Sequence, residues 1–106
     1  MNHFNSNMNK PKAVALLKRA RQLVKDNHHS MICFAIGRAE REAVGNGQSH
    51  YLQEWIQSML GPYDTYSEWV RHNHPRLYEG LTYEQRVEKA KQARLAWIDW
   101  MIGELQ

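Results

Sequence analysis

Six histidines stand in this sequence, and imidazole is both a common metal ligand and the side chain that titrates near neutral pH. Their spacing builds no metal site. His28 and His29 are adjacent, and adjacent residues on a helix face different ways. His72-Asn73-His74 has the letters of a nuclease motif, but that chemistry needs a ββα frame and further ligands, and no strand pattern occurs. There is no Cys-x-x-Cys pair and no His-Glu-x-x-His. The single cysteine, Cys33, lies between Ile32 and Phe34, an apolar run that suits a buried thiol better than an activated thiolate. No Gly-x-Ser-x-Gly elbow, phosphate-cradling glycine loop or distinctive carboxylate pair is found. The expectation is a protein without metal, cofactor or catalytic residue.

Binding chemistry has more support. Residues 10–25 carry Lys10, Lys12, Lys18, Arg19, Arg21 and Lys25 with no acid, whereas residues 42–70 carry Glu42, Glu54, Asp64 and Glu68 with no Lys or Arg. Such asymmetry fits oriented docking to a charged partner, the plainer reading being two solvated helix faces. Lys18, Arg19, Arg21 and Lys25 are the candidate contacts to an acidic partner or to phosphate. A second cluster combines Tyr66, Trp69 and Tyr78 with Arg71, His74, Pro75 and Arg76. Trp, Tyr and Arg are the types that dominate interface hot spots, and connectors often carry function. These seven residues are the candidate partner-binding site, although the aromatics could equally cover a small core. An X–Pro bond in a flexible loop populates cis at about 5–30%, which makes Pro75 a candidate substrate for a prolyl isomerase. A plain helix stop is the competing role for this proline.

Direct DNA reading is the alternative. Gly45-Asn46-Gly47 between two helical patterns resembles a helix-turn-helix joint, and the next helix would offer Gln48, Ser49, His50, Gln53 and Gln57. That stretch has no Lys or Arg and carries Glu54, so phosphate anchors are missing. Direct DNA binding is expected to be weak or absent.

These residues need elements to hold them, and the periodicity is helical throughout. Asn9 caps a helix over Lys10–Asp26, with Pro11 in its first turn and Ala13, Leu16, Leu17, Ala20, Leu23 and Val24 on one stripe. Ser30 caps a second over Met31–Val44, whose start is apolar nearly all round and so expected at the centre of the core, with Phe34 and Ile36 buried. A third spans Ser49–Leu60, with Leu52, Trp55, Ile56, Met59 and Leu60 on its apolar face, and stops at Gly61-Pro62. Thr65 and Glu68 form a capping box for a short fourth helix to Asn73, which His74-Pro75 ends. Thr82 and Gln85 form another for Tyr83–Glu104, with Val87, Ala90, Arg94, Trp97, Ile98, Met101 and Leu105 on one face.

The predicted fold class is therefore all-α, a small bundle of about five helices over 10–106 behind a disordered tail at 1–9. The 106 residues (12.5 kDa, net charge +3) are 42% hydrophobic and include four Trp and five Tyr, which excludes disorder throughout. No apolar run approaches the ~20 residues of a membrane span, and Met-Asn-His-Phe-Asn-Ser-Asn lacks the apolar centre of a secretory signal. Met8 is a second possible start. One cysteine allows no internal disulfide, so a cytosolic setting is expected.

Four segments also resemble a known group. These are Ser-Met-Ile-Cys-Phe-Ala-Ile-Gly-Arg-Ala at 30–39, Leu-Gln-Glu-Trp-Ile-Gln-Ser-Met-Leu-Gly at 52–61, Thr-Tyr-Ser-Glu-Trp-Val-Arg-His-Asn-His-Pro at 65–75 and Ala-Arg-Leu-Ala-Trp-Ile-Asp-Trp-Met-Ile at 93–102. From Met8 onward the chain resembles the anti-RecBCD proteins of lambdoid bacteriophages, small all-helical proteins. The resemblance implies a non-enzymatic phage protein in the host cytoplasm that binds the RecBCD exonuclease/helicase. It would modulate or inhibit that enzyme, protecting phage DNA ends and favouring phage recombination. The prolyl isomerase at Pro75 would then be the host's. The segments are mostly packing residues, and no catalytic motif carries over.

Overall fold

Asn9 is extended (φ −148°, ψ 174°), and its Oδ1 accepts a hydrogen bond from the Lys12 N–H at 3.0 Å. That side chain satisfies one of the free amides at a helix start, so helix α1 runs Lys10–Lys25, with proline in the first turn where its missing N–H costs nothing. In the computed structural model the described residues are 8–26, 32–44, 51–60 and 66–106, except for the side chains of Ile32, Cys33, Val44, Tyr51, Gln53, Glu54 and Gln57. They form four further helices: α2 Ile32–Val44, α3 Tyr51–Leu60, α4 Tyr66–Asn73 and α5 Tyr83–Leu105. No strand occurs among the described residues. The all-α bundle expected from the periodicity is therefore the fold. The caps expected at Ser30 and Thr65, the joint at Gly45-Asn46-Gly47 and the stop at Gly61-Pro62 lie outside the described residues. Of the expected tail, residues 1–7 also lie outside, while Met8 packs half-buried against the core.

The central helix is α1, not α2. It packs along its length against both α2 and α5, whereas α3 and α4 join through smaller contacts with α2 and α5 respectively. The physical reason is the width of its apolar stripe: Ala13, Leu17, Ala20, Leu23 and Val24 are all buried, enough to serve two neighbours. Helix α2 contributes a narrower face of Ala35, Ile36 and Ala39, and its buried Gly37 adds no side chain of its own. Phe34, expected in the core, is 57% exposed. At ~100° per residue it falls roughly opposite the Ile36–Ala39 face, so the aromatic ring cannot reach α1. Met59 is likewise exposed, since Leu52, Trp55 and Ile56 already fill the contact made by α3.

A buried carboxylate links α2 to α3. Glu40 Oε2 accepts from the Leu52 N–H at 2.9 Å, at the first turn of α3. Free amides and the positive end of the helix dipole favour an anion there. Helix α5 starts as expected: Thr82 Oγ1 accepts from the Gln85 N–H at 3.2 Å while Gln85 Oε1 accepts from the Thr82 N–H at 2.9 Å. Its buried stripe, however, begins at Ala93 and continues through Trp97, Ile98, Met101 and Leu105. Val87, placed on that stripe by its spacing, is 52% exposed, because α5 extends beyond the helices that cover its second half.

Candidate functional site

The chain leaves α4 through a tight turn. The His74 N–H still donates to the Val70 carbonyl at 2.7 Å, and Asn73 Nδ2 donates to the Trp69 carbonyl at 2.9 Å. Pro75 then ends the helix, having no N–H to continue the ladder. Residues 75–80 curl back through bonds from Leu77 to His74 (3.1 Å) and from Glu79 to Arg76 (3.2 Å). Gly80 closes the curl at φ 74°, in the left-handed region that glycine enters without strain. No cis peptide bond occurs among the described residues, so the His74–Pro75 bond is trans.

Between α4 and this curl lies an open groove of about 620 Å³, whose lining combines the apolar and aromatic Tyr66, Val70, Pro75, Leu77 and Tyr78 with the polar Ser67, Arg71, His74, Arg76 and Glu79. Six of the seven side chains expected to contact a partner therefore surround one concavity: Tyr66, Arg71, His74, Pro75, Arg76 and Tyr78. The seventh, Trp69, is buried and acts from behind, its ring 5.1 Å from that of His74. It positions the imidazole and does not offer its own surface to a partner.

The charges of the groove are only loosely engaged. Arg71 Nη2 lies 2.9 Å from Glu68 Oε1 on α4, and Arg76 Nε lies 3.6 Å from Glu79 Oε2. Exposed pairs of this kind are worth roughly 0–1 kcal/mol, so both guanidiniums can exchange their carboxylates for those of a partner at little cost. Tyr66 is held differently. Its ring meets that of Trp97 edge-on at 5.9 Å, and its hydroxyl is buried with no hydrogen-bond partner among the described residues. Desolvation pushes this phenol up to about 12, with Tyr78 nearby acting the same way and the Arg94 charge opposing. The hydroxyl therefore stays a donor at any physiological pH. Ser67 and His74 both line the groove, but no hydrogen bond joins them among the described residues. The arrangement suits recognition by apolar contact and exchangeable ion pairs.

The basic cluster has a different fate. Arg19 donates through Nε and Nη2 to the two carboxylate oxygens of Glu42 on α2, at 2.7 and 3.0 Å. Arg21 does the same to Asp99 on α5, at 2.6 and 3.1 Å. The two arginines flank the exposed ridge of α1, and each is tied to a different neighbouring helix in a two-point pair. The hydrogen bond from Arg19, with its charge and that of Arg38, holds the Glu42 carboxyl below its usual range. Lys18 and Lys25 remain exposed, with no ion-pair partner among the described residues. Of the four cations expected to meet an acidic partner or phosphate, two are thus taken up in holding α1 between α2 and α5. Sequence spacing could not reveal this, because the carboxylates lie 23 and 78 residues away.

The proposed helix-turn-helix joint at 45–47 and residues 48–50 lie outside the described residues, as do the side chains of Gln53 and Gln57. No cluster of three or more potential metal ligands occurs among the described residues, and no described helix is long and apolar enough to cross a membrane. No protein-family model, curated protein or solved structure matches the chain.

Proposed function

We propose that this chain is a non-enzymatic protein-binding domain that acts in the host cytoplasm on an exonuclease/helicase of the RecBCD type, and that the groove between α4 and the 75–80 curl is its contact surface. The observation that carries the contact surface is the gathering of Tyr66, Arg71, His74, Pro75, Arg76 and Tyr78 around one open concavity. The choice of target rests on the resemblance of residues 30–39, 52–61, 65–75 and 93–102 to anti-RecBCD proteins of lambdoid phages. Binding there would alter degradation of linear duplex DNA and spare phage ends. A host prolyl isomerase acting at the exposed Pro75 belongs to the same proposal.

The test adds purified protein to RecBCD and follows degradation of linear duplex DNA alongside complex formation by size exclusion. Altered degradation and a stable complex are expected, and Arg76→Ala with Tyr78→Ala should weaken both, since each side chain is exposed and the fold does not need it. Unchanged degradation at saturating protein, with no complex, refutes the target. An altered nuclease with an unaffected double variant refutes the contact surface. Tight binding to naked DNA that falls steeply with salt would instead support the helix-turn-helix alternative.

A further inference from the structure

The first half of α5 is the least covered part of the described fold. Residues 83–89 are all exposed, Tyr83 at 77% and Val87 at 52%. Both lie on the same side of α5 as the buried Met101 and Leu105, with the half-buried Arg94 between, so a short apolar strip stands outside the core with nothing from the described chain laid on it. The charges beside it are of both signs, and neither Glu84 nor Lys91 has an ion-pair partner among the described residues.

Helix geometry makes this strip complementary to itself. Measured from Val87 at ~100° and ~1.5 Å per residue, Glu84 lies about 4.5 Å toward the N-terminus and Lys91 about 6 Å toward the C-terminus, both on the same flank. Tyr83 and Ala90 lie at matching distances on the other flank. A two-fold axis that sets Val87 against the Val87 of a second copy, with the helices antiparallel, keeps each flank on its own side and reverses the direction along the axis. Glu84 then faces Lys91 of the second copy, Lys91 faces its Glu84, and each Tyr83 ring packs on the small Ala90 opposite. Flanking charges of this kind set register and orientation in paired helices, and a surface that answers itself is the requirement for an isologous dimer.

We propose that the exposed half of α5 pairs antiparallel with the same half of a second copy of this chain, centred on Val87 and bracketed by two Glu84–Lys91 ion pairs. Two helical turns per protomer make a small interface, so the dimer is weak and forms by mass action at high protein concentration.

The experiment is sedimentation equilibrium of the full chain from about 1 to about 500 µM at low salt, with dimer expected to appear across that range. Val87→Asp should abolish the dimer while leaving the melting temperature unchanged, because the side chain is exposed in the monomer. Glu84→Lys sets like charges together at two places and should weaken the dimer at least about tenfold. Adding Lys91→Glu to it should restore the original affinity. A chain that is monomeric throughout overturns the proposal and leaves the strip to a different protein. A dimer indifferent to Val87→Asp, or a double variant that stays as weak as Glu84→Lys, overturns it equally.

Discussion

Two residues apart on α2, Phe34 and Ile36 make opposite demands on the fold, and truncating each to alanine tests its packing directly. Ile36 is 1% exposed and faces the core cluster. Ile36→Ala removes buried methyl groups and leaves a cavity, at a cost of about 2–5 kcal/mol. For a domain near 100 residues each kcal/mol shifts Tm by about 4–8 °C, so the melting point should fall by at least about 8 °C. Phe34 is mostly solvated. Full burial of such a ring is worth about 1.5–3 kcal/mol, and less than half of it is withdrawn from water. What Phe34→Ala loses is therefore about 1 kcal/mol, and the better helix propensity of alanine returns roughly half of that. Thermal melts followed by circular dichroism at 222 nm, with urea midpoints at unchanged m, measure both variants. Equal losses from the two, or a larger loss at Phe34, would refute the rotational setting of α2 described above.

Tyr66→Phe removes a buried hydroxyl that has no hydrogen-bond partner among the described residues, and should be neutral or stabilise by up to about 1 kcal/mol; a loss of that size in urea unfolding would mean that the hydroxyl is hydrogen-bonded after all. Thr82→Ala breaks the capping box at a cost of about 1 kcal/mol, and since residues 83–89 are exposed the effect should be local. Faster amide exchange over that stretch with little change in Tm is expected, and unaltered exchange contradicts it. The Arg19 hydrogen bond holds the folded Glu42 carboxyl below its ordinary range, so the stability it contributes is present above that range and is lost as pH falls through the lowered one. Glu42→Gln should flatten the acid side of the stability–pH curve, and an unchanged curve would mean that the Arg19 pair carries no linkage.

The helices and several of their ends could be read from residues close together in the chain. Asn9 and the Thr82–Gln85 box act within three residues of themselves, and the stripes of α1 and α3 repeat within a few turns, so local chemistry determines where these helices lie. The groove by α4 was legible for the same reason: its lining comes from one continuous stretch, Tyr66 to Glu79, and an aromatic–arginine segment broken by proline marks it. What the stretch could not disclose is that Trp69 turns inward, because that depends on the core it meets.

Tertiary structure decided the rest. Whether an apolar residue is buried depends on whether another helix reaches it. Val87 shares the side of α5 that carries Met101 and Leu105 and is still solvated, since α5 outruns its neighbours. Phe34 shares a short apolar run with Ile36 and lies on the other side of the helix. The arginines of α1 look like free cations in the sequence, and only the packing of α2 and α5 brings Glu42 and Asp99 within 3.1 Å of them. Local propensity fixes the elements because its interactions span three or four residues; long-range contacts assign each face its partner, and those contacts exist only once the helices have packed.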